Sequence, residues 1–439
     1  MRSFNQYLYF FIASTLLNLF IIPYTSATSN AISTAPFDVP QYWTNTNFLR
    51  VIDLTTHVSR ETTTIAAKNV HSEPLGEYYF PIKESLDEHL SYIEASEKRA
   101  NKVFEVTKAE FDSLKIQFYK ITFDRLINPN EKIVLVVKTA FTHILTPYPL
   151  EIAQTGRQNL LYRGSIYGNS AYFTEQQKTN IKLPTANVIS YTEKPGPVSL
   201  NGNTITYGPF LDVKPSASGE LSVHYEFQQA LLTVKGLRRD LEISHWGGNL
   251  AVEEHYNLTH DGARDEIGNV STSRLRSEWD KTVMEFRPRY PLFGGWNYTW
   301  NYGYNVLLGD FLGYNRQNGR YILNIPFINP LHNAVYDKVQ IRIILPEGAS
   351  NVKVETPFPV NKETHTVFKT YFDSKGRYLV VLDKYNVVAE HAVPLQVSYE
   401  YGSLELLRKP LVASTFFFCG FLLSIIYSRM EFSIKKKSV

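Results

Sequence analysis

Leu221-Ser-Val-His-Tyr-Glu-Phe227 returns later in the chain as Leu395-Gln-Val-Ser-Tyr-Glu-Tyr401, and this recurrence decides the fold. In both copies apolar and polar residues alternate, the period of a strand with one buried face. A second landmark precedes each of them. Lys182-Leu-Pro-Thr-Ala-Asn-Val-Ile-Ser-Tyr-Thr-Glu-Lys-Pro195 matches Ile344-Leu-Pro-Glu-Gly-Ala-Ser-Asn-Val-Lys-Val-Glu-Thr-Pro357 with one residue of slippage. More weakly, Tyr148-Pro-Leu150 matches Tyr290-Pro-Leu292. Three landmarks in one order mark a duplicated structural unit. Similar apolar patterning runs through Leu49–Leu54, Lys115–Phe123, Lys132–Lys138, Val339–Leu345 and Arg377–Leu382, with turns at Asn128-Pro-Asn130, Asn201-Gly202 and Ser374-Lys-Gly376. The expected fold is mainly β: two tandem β-sandwich-like domains, residues 28–235 and 236–409, followed by a single C-terminal transmembrane helix. The division falls near the basic Lys235-Gly-Leu-Arg-Arg239. One helix competes within the first domain, Ser85 to Ala100, with Ser85 as N-cap and Glu88 three residues on. Tyr92-Ile93 in that segment suits a strand equally well.

The two ends of the chain set an address. Leu411–Tyr427 carries no charge and Ser428 extends it. At ~1.5 Å per residue this makes a span of ~27 Å, enough for the thinner endoplasmic reticulum bilayer. The span is placed at residues 410–428, and the basic tail, 429–439, goes to the cytosol, leaving the bulk of the chain lumenal. Lys436 and Lys437 stand fourth and third from the C-terminus, the placement of a dilysine retrieval signal; the plainer reading is a stop-transfer cluster. Arg2, the apolar Leu8–Ile22 and the small residues Thr25-Ser26-Ala27 read as a cleaved signal peptide, residues 1–27. The expected product is a single-pass type I protein of the endoplasmic reticulum membrane. Within the span, Gly420, Ser424 and Ser428 share one helix face, the small-residue pattern that lets a partner helix approach closely.

Composition narrows the class. Cys419, inside the span, is the only cysteine in 439 residues, so the lumenal domains have no disulfide and must be held by apolar burial. A net charge of +3 gives no reason to expect nucleic acid. Three triplets fit the N-glycosylation rule: Asn257-Leu-Thr259, Asn269-Val-Ser271 and Asn297-Tyr-Thr299.

The chemistry-bearing motifs are missing. The sequence has no His-Glu-x-x-His, Gly-x-Ser-x-Gly, phosphate loop, Cys-x-x-Cys, dinucleotide fingerprint or Asp-x-Asp. No catalytic residue, metal ligand or cofactor is therefore expected. Glu253-Glu254 and Asp265-Glu266 are the densest acidic pairs, but neighbours on a strand point to opposite faces, which favours a structural role. Tyr290–Tyr304 carries seven aromatic residues besides its Gly294-Gly295 turn and could form a sugar- or peptide-contacting surface. A core strand pair is the better reading, because aromatics are mostly buried. His245-Trp246 reads as a satisfied structural pair. If the copies begin at Leu49 and Leu241, the Tyr-Pro-Leu landmark lies 99 residues into the first and 49 into the second, so the second copy is short by about fifty residues, all before Tyr290.

Four stretches carry a family resemblance: Ser244-His-Trp-Gly-Gly-Asn-Leu-Ala-Val-Glu-Glu254, Arg264-Asp-Glu-Ile-Gly-Asn-Val-Ser-Thr-Ser273, Arg287-Pro-Arg-Tyr-Pro-Leu-Phe-Gly-Gly-Trp296 and Ile344-Leu-Pro-Glu-Gly-Ala349. They resemble the ribophorin I family, the first subunit of the dolichyl-diphosphooligosaccharide–protein glycosyltransferase (oligosaccharyltransferase). The resemblance implies an accessory subunit with two β-rich lumenal domains and one transmembrane helix. It implies partnership with the other subunits, including the catalytic one, and with nascent polypeptide acceptors. The family has an extra stretch where Gly262-Ala263 here runs directly into Arg264. The short tail resembles fungal members of the family. Two rival functions remain at this level: a membrane-tethered lectin or cargo receptor, and an enzyme in its own right.

Overall fold

A computed structural model describes residues 39–99, 102–109, 111, 116–152, 156–261, 274–277, 282–285, 288, 292–370 and 373–430. The expected signal peptide, residues 1–27, and Asn269, Asp265-Glu266, Lys436 and Lys437 lie outside them.

The first copy runs β1 (Trp43–Asp53), β2 (Ser59–Asn69), β3 (Leu75–Lys83), β4 (Leu90–Glu97), β5 (Val103–Ala109), β6 (Ile116–Ile127) and β7 (Lys132–Phe141). It continues with β8 (Leu145–Pro147), β9 (Asn159–Ser165), β10 (Thr174–Lys182), β11 (Val188–Tyr191), β12 (Val198–Asn201), β13 (Thr204–Val213) and β14 (Glu220–Glu226). Ten of these strands form a sheet in the order β12-β13-β10-β1-β2-β7-β4-β5-β6-β3, and β11-β14-β9-β8 form a second. Ile52, Ile181 and Tyr207 from the large sheet meet Leu160, Val223 and Tyr225 from the small one in a buried core.

The second copy runs β15 (Leu232–Ser244), β16 (Asn249–His260), the hairpin β17 (Arg274–Ser277) and β18 (Thr282–Glu285), then β19 (Asn297–Leu307) and β20 (Leu312–Asn315). It closes with β21 (Arg320–Pro326), β22 (Ala334–Glu347), β23 (Ser350–Glu355), β24 (Lys362–Phe368), β25 (Arg377–Val387) and β26 (Pro394–Glu400). Its sheets are β19-β16-β15-β22-β25-β24 and β20-β21-β26-β23. β15 begins at Leu232 and so runs through the 235/236 division.

These orders superimpose strand for strand. β12-β13-β10-β1-β2-β7 corresponds to β24-β25-β22-β15-β16-β19, and β11-β14-β9-β8 to β23-β26-β21-β20. In each copy one pair is parallel, β1 with β10 and β15 with β22, while the other described pairs are antiparallel. The landmark strands obey the period-two rule: Leu221, Val223 and Tyr225 are buried on β14, as are Leu395, Val397 and Tyr399 on β26.

A buried ion pair is duplicated as well. Arg50 on β1 holds Glu61 on β2 at 2.7 Å and 2.9 Å, and donates to the Ser165 carbonyl at the end of β9. Arg239 on β15 lies 2.9 Å from Glu254 on β16, and donates to the Pro326 and Phe327 carbonyls at the end of β21. In both copies one guanidinium therefore ties the large sheet to the small sheet through the core. Neither arginine announces this role in the sequence: Arg50 is a lone cation in an alternating strand, and Arg239 belongs to the basic Lys235–Arg239 run.

Two expectations need correcting. Glu84–Asp87 makes one helical turn with Lys83 as N-cap, and then the chain becomes β4. The open edge of β7 supplies a ladder for Leu90–Glu97, which outweighs a helix whose expected cap, Ser85, lies inside the one turn formed. The Tyr-Pro-Leu landmark also fails: Tyr148 follows β7, whereas Tyr290 precedes β19, the counterpart of β7. Between β2 and β7 the first copy carries the four strands β3–β6, and between β16 and β19 the described residues carry only the hairpin β17–β18. The difference in length between those connections is about half of what the landmark implied.

Val58 and Ala140 of the first copy pack with Val335 and Val388 of the second. Arg60 pairs with Glu390 at 2.6 Å, and His143 with Asp337 at 2.8 Å. Ser91 Oγ donates to the Asn386 carbonyl, and the Thr142 hydroxyl to the Asn386 side chain. After β26 a short 3-10 turn, Ser403–Leu407, leads into the helix Arg408–Arg429. Ser403–Arg429 contains an apolar stretch of 18 residues long enough to cross a bilayer, and none of it is buried, as befits a segment solvated by lipid.

Candidate functional site

β16 and β19 bring the sequence candidates together. Along β16 the alternation buries Leu250, Val252, Glu254, Tyr256 and Leu258 and turns Glu253 and Asn257 outward. Glu253 and Glu254 thus sit on opposite faces. Along β19, Asn297, Thr299 and Asn301 face outward, Tyr298 is half-buried, and Trp300, Tyr302 and Tyr304 pack half-buried against the core.

The register places two glycosylation triplets side by side. Asn257 opposes Thr299 and Thr259 opposes Asn297. The Thr259 hydroxyl donates to Asn297 Oδ1 at 2.7 Å. Next to them the outer face holds a shallow depression of about 510 Å³, bordered by Arg238, His255, Asn257, Thr299, Asn301 and Lys338. His255 lies 3.0 Å from Glu253 and 3.3 Å from Arg238, so this face is polar and weakly basic.

On the inner face the aromatic stretch forms a ladder. Tyr256 and Trp300 stack with centroids 4.6 Å apart, and Tyr302 and Tyr304 stack at 6.1 Å. The hydroxyls of Tyr256 and Tyr302 donate to Glu254 at 2.7 and 2.5 Å, and the Asn329 amide donates to its other oxygen. Burial, with Glu254 beside them, pushes both phenols far above the ordinary tyrosine range, so they remain donors. With Arg239 also against it, Glu254 is a saturated acceptor, and β19 is an edge strand whose inner aromatics are half-buried. Among the described residues no group of three or more His, Cys, Asp or Glu side chains could hold a metal ion.

Ser244–Asn249 forms the tight turn between β15 and β16, closed by the Gly247 amide on Ser244 Oγ and by Gly248 at φ +62°. His245 lies flat on Tyr401, centroids 4.6 Å apart, and hydrogen-bonds the Tyr399 hydroxyl through Nε2. Burial lowers its pKa, so it is neutral at pH 7. Trp246 beside it is 72% exposed.

On the C-terminal helix nothing lies within 4 Å of a side chain built at Gly420, and the Ser428 hydroxyl donates back to the Ile425 carbonyl. Gly420 and Ser424 are exposed, so the stripe is uncovered by this chain.

A family model described as Ribophorin I matches residues 43–264 and 263–428. The two matched segments meet where Ala263 joins Arg264. Subunit 1B of the dolichyl-diphosphooligosaccharide–protein glycosyltransferase of Arabidopsis thaliana is 32% identical, covering 92% of this chain and 97% of its own. Subunit 1A from the same plant is 32% identical, over 89% and 70% respectively. Subunit 1B of Oryza sativa subsp. japonica is 34% identical, over 88% and 91%. Among solved structures, an M1 zinc metallopeptidase from Deinococcus radiodurans is 12% identical over 47% of this chain and 48% of its own, with a TM-score of 0.26, too remote to bear on function.

Proposed function

Because this chain belongs to the ribophorin I family, we propose that it works as a non-catalytic subunit of the oligosaccharyltransferase complex, supporting assembly and acceptor handling during protein N-glycosylation. The observation that carries this reading is the family match, which runs through both β-rich copies and on into the apolar helix. The chemistry of glycan transfer belongs, in this reading, to a separate subunit. The two copies form a lumenal platform beside it, and the helix holds them in the endoplasmic reticulum membrane with the Lys436-Lys437 tail in the cytosol.

The uncovered Gly420/Ser424/Ser428 face is the contact for a partner helix, since small residues let backbones pack closely in lipid. Affinity purification of the tagged chain in mild detergent, followed by mass spectrometry, tests this. Recovery of the other oligosaccharyltransferase subunits, the catalytic one included, is expected. Recovery of the chain alone, with sugar binding by the isolated ectodomain, would establish the lectin reading instead.

A further inference from the structure

A single row of residues crosses the outer face of the second copy's six-stranded sheet. Thr299 on β19 opposes Asn257 on β16, and Asn257 opposes Gly236 on β15. Gly236 and Lys338 stand one residue before the paired Leu237 and Val339, and Lys338 opposes Tyr385 on β25. Alternation turns the row away from the core: Thr299, Asn257, Lys338 and Tyr385 are exposed, while Leu237, Leu258 and Val339 are buried. Gly236 is the gap in this row. A side chain built there would meet nothing within 4 Å. The sheet therefore has a trough at this point, part of the depression of about 510 Å³, with Asn257 on one bank and Lys338 on the other.

The chemistry of the trough is narrow. Among the described residues no carboxylate borders it, so a cationic ligand would find no counter-ion. Arg238 is held by Asp240 at 3.2 Å and His255 at 3.3 Å, and His255 by Glu253 at 3.0 Å. The side chains of Asn257, Thr299 and Lys338 make no hydrogen bond or ion pair among the described residues. Lys338 only rests over the Tyr385 ring, 5.8 Å from its centroid. One unpaired cation is too little for a polyanion. Open donors and acceptors around a floor without a side chain, with an aromatic ring at the far end, suit a neutral polyhydroxylated chain. Neighbouring strands lie about 4.8 Å apart, so the row from Asn257 to Tyr385 covers roughly 14 Å, the reach of the inner sugars of a glycan rooted at Asn257.

We propose that this trough is the seat of the chain's own glycan. The N-linked oligosaccharide at Asn257 lies across Gly236, accepts hydrogen bonds from the Lys338 ammonium, and ends over Tyr385, with Thr299 beside its root. Asn297 is the poorer root, because its Oδ1 accepts the Thr259 hydroxyl and its side chain does not border the depression. A glycan held flat there keeps the middle of this sheet face from packing against other polypeptide, so partner subunits meet the second copy elsewhere. The inference rests on the lumenal placement given under the proposed function.

The test uses the full chain, expressed through the secretory pathway of cells limited to oligomannose glycans and purified in mild detergent. Glycopeptide mass spectrometry should find a glycan at Asn257. Acylation of the native chain with a water-soluble amine reagent then reads the seat. Lys338 should react about tenfold more slowly than in the Asn257→Gln chain, while the exposed Lys362 reacts alike in both. Gly236→Val fills the trough without a clash, and a β-branched residue suits the strand, so Tm should hold. In that variant Lys338 should regain its reactivity, and endoglycosidase H should cleave the native glycan about tenfold faster than in the unsubstituted chain. An unmodified Asn257 beside a modified Asn269 or Asn297 would overturn the seat and leave the lumenal placement standing. No glycan at any of the three would overturn both. Equal acylation of Lys338 with and without the glycan would also overturn the seat.

Discussion

Replacing Glu254 with leucine removes one carboxylate and strands every group that uses it. Arg239, 1% exposed, would keep its charge without a counter-ion, and the hydroxyls of Tyr256 and Tyr302 and the Asn329 amide would lose their acceptor. Breaking a buried ion pair by removing one partner costs about 3–5 kcal/mol. In a domain of ~150–250 residues each kcal/mol moves Tm by ~2–4 °C, so Glu254→Leu should lower the transition of the second copy by about 6–20 °C. Removing both charges, in Arg239→Met/Glu254→Leu, should recover much of that loss, because a packed apolar pair of similar volume is often neutral. Differential scanning calorimetry of the full chain in detergent, run on both single variants and the double, closes the cycle. A double variant that loses as much as the two singles added together would refute the argument. It would mean that the pair acts as two independent side chains rather than one tie between the sheets. Arg50 and Glu61 should repeat the pattern in the first copy.

Acid should loosen the contact between the copies. Burial, helped by His143, lowers His57 to about 4, and burial, helped by Lys384, lowers His391 to about 4. The unfolded chain takes up these protons first, so the stabilisation is whole above pH ~6.5 and is lost as pH falls towards ~4, by about 3 kcal/mol for each histidine. Tm measured from pH 7 to pH 5 should fall steeply, and less so in His57→Phe. The two facing triplets on β16 and β19 should not both carry glycans: their asparagines are diagonal neighbours, roughly 7–8 Å apart in such a ladder. Endoglycosidase digestion of Asn257→Gln and Asn297→Gln checks this, and a two-glycan shift from this pair would contradict it. Gly420→Leu/Ser424→Leu should release a partner helix from solubilised complexes, measured by co-purification with the ectodomain still folded.

Much of the fold was legible because period-two burial leaves a direct trace. Leu221/Val223/Tyr225 and Leu395/Val397/Tyr399 mark the same core position of two copies. The β10 and β22 landmarks worked for the same reason, since each joins the end of a buried strand to an obligatory turn. Tyr148-Pro-Leu150 misled because it is a loop signature, and loops on opposite sides of a strand can share chemistry without sharing position. Leu90–Glu97 shows tertiary context overriding local capping signals: its strand state depends on β7, some forty residues away in sequence. The cavity beside the start of the helix, bordered by His245, Trp246, Glu347 and Lys409, was least legible. It draws on the β15–β16 turn, the ends of β22 and β26, and the helix start, which only the closed sheets bring together. The exposed aromatic beside the charge cluster, Trp246 next to His245, was the one local sign of it.

The central claim is that this chain serves glycan transfer without performing it. Its most direct test is transfer of a dolichyl-diphosphate-linked oligosaccharide to an Asn-x-Thr peptide, assayed with the purified chain alone and with the complex that co-purifies with it. The account predicts glycopeptide from the complex and none from the chain alone, at any concentration. Transfer by the isolated chain, or an active complex whose rate and acceptor range are unchanged after this chain is stripped away, would contradict it.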